Sequence, residues 1–517
     1  MLKSVQALPR ILLAPLQRGL QRVFGADLNP MYHLGALTIF FFWVVLVSGI
    51  YVFVFFETSI FGAYRTVEYL THDQWYLGGV MRSLHRYASD AAIVTLALHM
   101  LVEFSAGRYR GARWFSWFTG IPLLWMVFPL GITGYWLVWD QLAQYIALAT
   151  SELLDALPIF TDPMARNFLT PDSLSDRFFT LLAFLHLIGI PIFLVFGIWF
   201  HLLRLSRARV NPPLRLAIGS LAMLLALSLL RPALSHAPAD LGIAPRDLAF
   251  DWFYLLPYPL LDGGSPLLFW AVLVGFSMLL SLLPLLPPLR RAPPARVDPG
   301  NCNGCGRCFA DCPFSAVTLR PRSDTSRHPT IAVVDPELCT ACGICAGSCP
   351  SSTPFRSLEQ LVSGIDMPAF PIRDIRSQSR IALDALQAPV KVLVYGCDHG
   401  IDVHAYNAAG VAAISLPCTG NLPPAFIEYA LRREGADGVF VTGCQCGDCF
   451  FRQGNQWTDE RVAGVREPHL RGNVDAQRVH IVWGAASDGA QVRRELDAFI
   501  ERLRRMNSDS QATTAHG

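Results

Sequence analysis

Long apolar runs dominate the chain before residue 290. Six of them are long enough to cross a lipid bilayer as helices, which takes about 20 apolar residues each. They lie at about 35–56, 80–104, 115–139, 179–203, 214–231 and 266–287. The opening segment has a different pattern, because Lys3, Arg10 and Arg18 are interspersed among apolar residues. This pattern predicts an amphipathic helix over residues 1–28 that lies on a membrane surface.

The pattern changes near residue 290. Residues 290–299 are rich in proline and arginine, which is typical of a stiff linker. From about residue 389, short apolar runs alternate with turns and with one helical pattern at 425–434. The runs predict strands at 391–395, 411–416, 438–442 and 480–483. This alternation favours a small parallel sheet with helices on its faces.

Composition supports several domains, one of them in a membrane. The 517 residues are 52% hydrophobic and 16% charged, so the chain is too long for one domain and too apolar for an ordinary soluble enzyme. The net charge of +2 gives no indication of nucleic-acid binding. We predict a multidomain protein: an all-α transmembrane bundle of about six spans, an α+β ferredoxin-like domain and a small α/β C-terminal domain.

Basic residues indicate how the spans cross the membrane. They cluster in segments that lie on one side: Lys3, Arg10, Arg18 and Arg22; Arg108, Arg110 and Arg113; Arg204, Arg207, Arg209 and Arg215; and Arg290, Arg291 and Arg296. By the positive-inside rule this side is the cytoplasm, so both termini are predicted to be cytoplasmic. All thirteen cysteines follow residue 301, and in a reducing compartment that density favours metal binding over disulfides.

Two of the spans carry a pair of histidines one helix length apart: His85 with His99, and His186 with His201. A gap of 14 or 15 residues keeps both imidazoles near one helix face and separates them by about 21 Å. Since both spans run inward from the outer face, His85 faces His186 near the outside. His99 then faces His201 near the cytoplasm. A single histidine is more often a core residue, but matched pairs in an apolar setting indicate two haems with imidazole ligands.

Glycines on the first and third spans repeat the same interval. They are Gly35 and Gly49, and Gly120 and Gly134. A missing side chain lets a helix approach a flat haem ring closely, although such glycines also serve as packing notches between membrane helices. Arg82 and Arg86 flank His85, where they would either meet haem propionates or anchor the helix at the membrane interface.

The stretches MRSLHRYASDAAIVTLALHM and GITGYWLVWDQ carry a family resemblance. They are close to the second helix, and to the loop after the third, of cytochrome b from the quinol-oxidising bc and b6f complexes, which residues 29–213 resemble. The 15-residue gap from His186 to His201 is similar to the plastid-type branch. The resemblance implies a four-helix bundle with two b haems, a quinone substrate and a homodimer within a larger complex. We expect a multi-pass protein of a prokaryotic cytoplasmic membrane.

Residues 214–291 resemble, more weakly, the C-terminal part of cytochrome b, where a Pro-Glu-Trp-Tyr motif lines the outer quinol pocket. The matching stretch here is FDWFY at 250–254, so the carboxylate is shortened and the proline is absent. Quinol oxidation releases protons, which a carboxylate beside the quinol ring accepts. Asp251 is therefore the candidate catalytic residue, with Tyr135 and Trp136 shaping the pocket. The alternative is a loop aspartate at the membrane surface.

Cysteine spacing gives the strongest signal in the chain. Two near-copies of a Cys-x2-Cys-x2-Cys-x3-Cys-Pro run occur, at 302–313 and 339–350. Three thiolates of each run hold one 4Fe-4S cube, and the fourth ligates the other cube. The predicted ligand sets are Cys302, Cys305, Cys308 and Cys349, and Cys339, Cys342, Cys345 and Cys312. The alternative, structural zinc, does not require this doubled spacing, and residues 297–355 resemble a bacterial two-cluster ferredoxin.

Five further cysteines follow predicted strands: Cys397, Cys418, Cys444, Cys446 and Cys449. Ligands gather at the carboxyl ends of parallel strands, so we expect one more metal centre there. The stretches VYGCDHG, LPCTGN and EGADGVFVTGCQCGDCFFRQGN resemble the delta subunit of methyl-viologen-reducing hydrogenase over roughly 389–505. That resemblance implies a 2Fe-2S cluster on Cys397, Cys418, Cys444 and Cys449, and a flavin-containing heterodisulfide reductase as partner.

The match to the delta subunit departs from the family at two positions. Gly400 stands where the family usually has a second cysteine, and Cys446 stands where it has an apolar residue. Which four of the five cysteines bind is therefore left open, as is the alternative that they are free buried thiols.

These observations predict a membrane quinone oxidoreductase that exchanges electrons between the quinone pool and a cytoplasmic flavoprotein or heterodisulfide-reductase-like partner. No cysteine precedes Cys302 to attach a covalent haem, and no segment resembles a Rieske protein. Quinol bifurcation would therefore need a separate outer-face acceptor of high potential. The alternative function is a non-catalytic electron relay and membrane anchor. The predicted domains are 1–28, 29–213, 214–291, 292–355, 356–388 as a linker, 389–505, and 506–517 as a disordered tail.

Overall fold

A computed structural model describes residues 2–157, 159, 163, 167–245, 247–261, 264–286, 292–357, 361–485 and 488–515. Arg290 and Arg291, which support the predicted orientation, lie outside the described residues, as do the last two residues of the expected tail. The chain divides into two units. The first comprises Met1–Leu203 and Ala208–Pro287, and the second comprises Arg204–Arg207 and Pro288–Gly517.

The described part of the first unit is helical. Its helices are α1 (Leu2–Phe24), α2 (Leu34–Phe55), α3 (Gly62–His72), α4 (Val80–Ser105), α5 (Trp114–Val138), α6 (Gln141–Asp155), α7 (Asp176–Phe184), α8 (Ile190–Leu202), α9 (Leu214–Leu230), α10 (Pro257–Leu261) and α11 (Pro266–Leu282). A π-helical turn at Trp75–Gly79 extends α4 at its start. A second π-helical turn, at Leu185–Gly189, joins α7 to α8. The second and fourth spans, which carry the histidines, are therefore each one continuous helix.

Five helices of this unit are long and apolar enough to cross a membrane. They are Leu34–Phe55, Trp75–Ser105, Trp114–Val138, Asp176–Leu202 and Pro266–Leu285. The sixth apolar run forms α9, which is shorter at 17 residues. Their outward side chains are apolar, as Trp43, Val54 and Phe193 illustrate. A helix that is apolar all round needs either protein or lipid around it, so these helices form a transmembrane bundle.

Small side chains let the helices of the bundle approach one another. Helix α2 packs against α4 around the buried residues Ala88 and Ala92. Helix α5 packs against α8, where Leu123 fills the space beside Gly197. Such small-residue contacts are typical of membrane helices, because lipid provides no hydrophobic drive for their association. This packing brings the histidine-bearing helices α4 and α8 beside the glycine-bearing helices α2 and α5.

The second unit contains short strands and helices. The strands are β1 (Arg296–Val297), β2 (Val317–Pro321), β3 (Thr330–Val334), β4 (Ile365–Asp366), β5 (Val392–Cys397), β6 (Val411–Leu416), β7 (Gly438–Gly443) and β8 (Val479–Trp483). The helices are α12 (Arg307–Asp311), α13 (Ile344–Gly347), α14 (Ile372–Asp384), α15 (Pro424–Arg433), α16 (Gly454–Val462) and α17 (Gly489–Ala515). β1 pairs antiparallel with β4, and β2 with β3.

The last four strands form the parallel sheet that the sequence predicts. Its order is β6-β5-β7-β8, with Val394 of β5 opposite Ala413 and Phe440. β5 and β7 are buried along their whole length, because helices cover both faces of the sheet. The carboxyl ends of β6, β5 and β7 lie at one end of the sheet, where Cys418, Cys397 and Cys444 follow one another in strand order.

Segment 356–388, expected to be a linker, contains structure. It holds β4 and α14, and α14 buries Ile372, Ile375 and Leu383 in the core that also contains Leu393. These residues form one helical stripe, which the alternation of polar residues between them hides from a search for long apolar runs. Helix α17 likewise continues through the expected tail as far as Ala515.

Candidate functional site

His85 and His186 face each other within the helical bundle. Their ring centres are 6.2 Å apart. His85 Nδ1 lies 2.9 Å from the carbonyl oxygen of Val45, and His186 Nδ1 lies 3.0 Å from that of Leu130. Because a carbonyl oxygen only accepts hydrogen bonds, each Nδ1 carries the proton and each Nε2 keeps its lone pair. Such a second hydrogen bond orients imidazoles that bind metals.

The spacing of this first histidine pair fits one metal ion between the two rings. Metal–imidazole bonds of about 2 Å on both sides would put the two ligand nitrogens about 4 Å apart and the ring centres about 6 Å apart. The observed 6.2 Å agrees with that value. A cavity beside the pair is lined by apolar side chains of α2 and α5 and by Gly49, Gly131 and Gly134. These residues therefore fit a planar cofactor held by two axial imidazoles.

His99 and His201 form the second pair, one helix length away on the same helices. His201 lies within interaction range of His99, and its ring hydrogen-bonds to the carbonyl of Ser116. Glu103 lies one turn after His99 and is bound by Arg113 at 2.9 Å. The two pairs are thus separated by about one helix length, as the sequence predicts. His186 lies in the π-helical turn before α8, and His201 lies near the end of α8.

Each of the four predicted glycines lies against one of the four histidines. A Cβ atom added to Gly49 would lie 2.7 Å from Cε1 of His85, and one added to Gly134 would lie 2.9 Å from Cε1 of His186. The corresponding distance is 3.3 Å for Gly35 to His99 and for Gly120 to His201. The glycines therefore make room for the imidazole rings. The predicted close approach of the glycine-bearing helices to a haem ring would be a second effect of the same missing side chains.

The two arginines beside His85 have separate surroundings. Arg82 binds Thr71 and donates to Ser235 Oγ at 2.6 Å, and it lies 3.5 Å from Glu68. Arg86 instead reaches two carboxylates and lies over the ring of Tyr135, 4.5 Å from its centre. Both arginines line the cavity beside His85. Arg86 therefore contacts two of the predicted pocket residues, Asp251 and Tyr135.

The structure brings Asp251 and Tyr135 together. The Tyr135 hydroxyl donates to Asp251 Oδ2 at 2.5 Å, and the Phe253 backbone N–H donates to Asp251 Oδ1 at 2.8 Å. Only 2% of the Asp251 side chain is exposed. Trp136, the third pocket candidate, stacks instead on Phe178 at 5.9 Å between ring centres. Asp251 is therefore not a surface loop aspartate, and Trp136 belongs to a neighbouring cluster.

Tyr254 completes the wall of this pocket. Its ring lies directly over Gly131 of α5, where any side chain would overlap it, and its hydroxyl donates to the Ser89 carbonyl at 3.0 Å. Burial raises the pKa of the Tyr254 phenol, so this group stays protonated.

Sequence reasoning missed Asp90. Its carboxylate lies 3.4 Å from Arg86 Nε, one turn away on α4, and it also approaches Asp251. The signal was available, because an ionisable residue inside a membrane helix is usually functional.

The eight ferredoxin-type cysteines line two separate cavities in the second unit. One is lined by Cys302, Cys305, Cys308 and Cys349, and the other by Cys312, Cys339, Cys342 and Cys345. These are the crossed sets expected for two cubes. Gly304, Gly306 and Gly343 have positive φ angles, which let the loops curl around each cavity. Within the described ranges no three His, Cys, Asp or Glu side chains converge on a single metal ion.

Four of the five remaining cysteines meet at the carboxyl edge of the parallel sheet. Cys397 Sγ lies 3.4 Å from Cys444 Sγ, and Cys449 contacts Cys418 and Cys444. All four are buried, whereas Cys446 is only half-buried. This donor set of four thiols fits a small iron–sulfur cluster.

Two glycines fit tightly around these thiols. A Cβ atom at Gly454 would overlap Cys418 Sγ, so α16 begins in direct contact with the thiol cluster. A Cβ atom at Gly400 would lie 2.8 Å from the Gly443 backbone. This contact leaves no room for a side chain at Gly400 in this chain.

A buried charge network joins the ferredoxin-type loops to the Cys418 loop. Arg461 is 1% exposed and binds Asp311 at 2.7 Å, next to Cys312, and it donates to the Gly420 carbonyl at 2.9 Å. Asn421 packs over Gly343, and neither its amide nitrogen nor its amide oxygen has a partner among the described residues. The Cys342 loop therefore packs directly on the Cys418 loop.

Comparisons with known proteins agree with this geometry. Residues 21–209 match the family model for cytochrome b/b6/petB. The cytochrome b-like segment is followed by a match to the 4Fe-4S dicluster domain at 301–353 and by one to the methyl-viologen-reducing hydrogenase delta subunit at 394–507. The three resemblances expected from the sequence are thus confirmed.

Similar proteins of known identity include cytochrome b6 of Synechococcus sp. (strain CC9605) and of Prochlorococcus marinus (strain MIT 9303). Each is 27% identical to the cytochrome b-like segment over 186 residues, which are 36% of this chain and 85% of the relative. A solved structure described as hyperthermophilic respiratory Complex III is 18% identical, with a TM-score of 0.35, and the match covers 50% of this chain and 84% of that one. The protein is a membrane-integral electron-transfer subunit that carries haem b and iron–sulfur clusters.

Proposed function

We propose that this chain is a quinone-linked oxidoreductase subunit that passes electrons between a membrane quinone pool and a cytoplasmic partner. The single observation that carries this proposal is the His85–His186 pair, whose ring spacing and Nδ1 hydrogen bonds fit an axially ligated haem. The same polypeptide also carries two cavities lined by four cysteines each. Bound haems and clusters supply one-electron carriers.

The proposed ligand assignment uses every matched histidine and most of the cysteines. His85 with His186, and His99 with His201, are the axial ligands of two b haems. The two crossed cysteine sets hold two 4Fe-4S cubes. Cys397, Cys418, Cys444 and Cys449 hold a 2Fe-2S cluster, a choice supported by their burial, whereas Cys446 is only half-buried. Gly35, Gly49, Gly120 and Gly134 give the imidazoles room, and Arg82 and Arg86 border the outer haem site.

The proposed quinol pocket lies beside the outer histidine pair. Asp251 accepts a quinol proton, and Tyr135 and Arg86 hold its carboxylate in place. Tyr254 lines the neighbouring cavity at the His85–His186 pair. Trp136 supports the end of α5 by packing on Phe178.

We propose six membrane crossings, with α9 as the shortest, and both termini in the cytoplasm of a prokaryotic cell. The basic segments before α2, after α4 and after α8 support this orientation. The domains are assigned as 1–28, 29–213, 214–291, 292–355 and 389–505, and the chain acts as a homodimer within a larger complex. These assignments follow from the sequence pattern and the cytochrome b resemblance.

The partner is proposed to be a heterodisulfide-reductase-like or other flavoprotein that docks on the delta-subunit-like region. That region matches a family whose description names a hydrogenase delta subunit, which supports a role in joining larger redox enzymes. Quinol bifurcation would send one electron to a high-potential acceptor on the outer face and the other through this chain.

The test is haem reduction by a reduced short-chain quinol analogue, followed optically with the purified full chain. We expect rapid reduction in the wild type, a strong loss in Asp251→Asn, and no loss in Asp73→Asn, a control at an exposed residue on the same membrane half. If the wild type is not reduced by any ubiquinol or menaquinol analogue, the quinone-linked activity is refuted.

The second candidate function is a non-catalytic relay and membrane anchor. The observation in its favour is the altered stretch at 250–254, which lacks the family's proline and has a shorter carboxylate. In that case the quinol analogue would leave the haems oxidised, while dithionite would still reduce them. The same optical experiment therefore separates the two functions.

A further inference from the structure

Asp90 is an acidic residue within the apolar helix α4, and the function proposed above does not use it. Its side chain is 15% exposed and lies one helical turn after Arg86. Placing a carboxylate in a membrane helix is energetically costly unless a partner compensates its charge. An acidic residue at this position is therefore expected to have a function.

One guanidinium serves two carboxyl groups at this point. Arg86 Nη2 lies 3.1 Å from Asp251 Oδ2, and Arg86 Nε lies 3.4 Å from Asp90 Oδ2. The other titratable groups facing Asp90 are phenols: Tyr87 on its own helix, Tyr135 on α5 and Tyr254 in the 250–254 loop. If both carboxyl groups were ionised, one negative charge would be left without compensation in a low-dielectric site.

The two carboxyl groups, which share Arg86, also interact with each other. Two ionised carboxylates would repel each other in this apolar site, and a proton on one of them removes that repulsion. Asp90 Oδ1 is buried and has no donor among the described residues. A proton shared between Asp90 and Asp251 supplies that missing donor and removes the extra negative charge at the same time.

We propose that Asp90 and Asp251 share one proton and together form the proton store of the quinol pocket, with Asp90 acting through Asp251. This inference rests on the quinol-oxidising function proposed above. Asp251 is the member that faces Tyr135 and the pocket wall, whereas Asp90 is set back on α4. Asp90 is therefore a positioning and proton-holding residue, and Asp251 is the residue that meets the quinol.

One quinol loses two O–H protons and two electrons to become a quinone. In the purified chain the two electrons would be taken up one at a time by the two haems that the histidine pairs would hold. The pair starts with one proton and one negative charge, so it takes up the first quinol proton as Asp251 becomes protonated. It releases that proton outward before it accepts the second.

The first test is infrared spectroscopy of the full chain in H2O and D2O, which detects the carbonyl stretch of a protonated, exchangeable carboxyl. All chains in this test carry Glu434→Gln, because the raised pKa of Glu434 would add a second band. We expect the band at pH 7 in the chain that is otherwise wild type and its loss in both Asp90→Asn and Asp251→Asn. Asp73→Asn, at an exposed position, should retain it. A wild type without the band, or an Asp90→Asn variant that keeps it, overturns the proposal.

The second test measures the rate of haem reduction by the quinol analogue across pH. We expect Asp90→Asn to lower the rate of haem reduction about tenfold or more, as the loss of an acid–base group does. Asp90→Glu should recover most of that rate. An intact haem spectrum in both variants excludes a folding defect. A reducible wild type with an unchanged Asp90→Asn rate overturns the shared-proton role alone. A wild type that quinol does not reduce overturns the proposed function as well.

Discussion

Gly49 on α2 is in contact with His85 on α4, and a single added carbon would come within 2.7 Å of the His85 ring. Real Cβ atoms do not approach other atoms so closely, so the imidazole or the helix would have to move. His85 is held by the Val45 carbonyl on the same helix as Gly49. The position of the His85 ring therefore depends on residue 49 having no side chain.

The first prediction is that Gly49→Ala loses the outer haem, since a displaced His85 no longer faces His186 at the correct spacing. Gly35→Ala should have a milder effect, because the corresponding distance to His99 is 3.3 Å. Haem content and the Soret band of the purified chain measure both. Gly219→Ala on α9 is the matched control, because a Cβ atom added there meets no neighbouring element within 4 Å among the described residues. This variant should retain both haems.

The second prediction concerns the C-terminal cysteines. Cys444→Ser should lose the C-terminal cluster, because Cys444 contacts both Cys397 and Cys449. Cys446→Ser should keep it, since Cys446 lies outside the buried group. Iron content and the electron paramagnetic resonance spectrum of the reduced chain report on the cluster. Loss of the cluster in Cys446→Ser with retention in Cys444→Ser would reverse the ligand assignment.

Local patterns in the sequence were sufficient to predict several of the elements. Uninterrupted apolar runs predict α2, α5 and α11 within a few residues, because a membrane helix must be apolar over its whole length. The buried strands β5 and β7 were predictable for a similar reason, since a parallel sheet covered on both faces has apolar strands. Helix α14 was missed because its apolar residues are spaced by three and four in a polar background.

Contacts between residues far apart in the sequence could not be predicted in this way. Asp90 and Asp251 are brought together only when the loop after α9 folds back over α4 and α5. The contact of Asn421 with Gly343 likewise depends on how two domains with separate sequence signatures pack. Spacing identifies candidate ligands, whereas the partners that orient them come from tertiary packing.

The third prediction is that Arg461→Met destabilises the second unit. Its removal leaves Asp311 with Arg466 as the sole described ion-pair partner and exposes the Gly420 carbonyl to an apolar side chain. Breaking a buried ion pair costs about 3–5 kcal/mol, and the remaining Arg466 contact reduces that to about 2–3 kcal/mol. Thermal loss of the iron–sulfur absorption of the full chain measures the effect.

A matched control for this variant is Arg504→Met. Arg504 also pairs with a carboxylate, Glu501, and the two side chains are 62% and 50% exposed. Its removal should change the midpoint very little, as is usual for exposed pairs. Equal destabilisation by the two variants would contradict a special role for the buried Arg461–Asp311 pair.

The last prediction is a pH dependence of stability that comes from Glu434, at the end of α15. Burial raises the pKa of its carboxyl from 4.5 to about 7, and its Oε1 has no hydrogen-bond partner in the described chain. Between these values the unfolded chain loses the proton while the folded chain keeps it, so stability falls as pH rises from about 4.5 to 7. Glu434→Gln cannot ionise and should escape that loss.

We therefore expect Glu434→Gln to be more stable than the wild type at pH 8, by about 1 kcal/mol after allowance for partial exposure, and to differ little near pH 5. Thermal unfolding of the full chain at both pH values measures this difference. Glu501→Gln on the exposed face of α17 should show no such pH-dependent gain. A Glu434→Gln variant that is less stable at pH 8 would mean that the ionised carboxylate is stabilised by Arg376 and Arg380, which face it, more than burial penalises it.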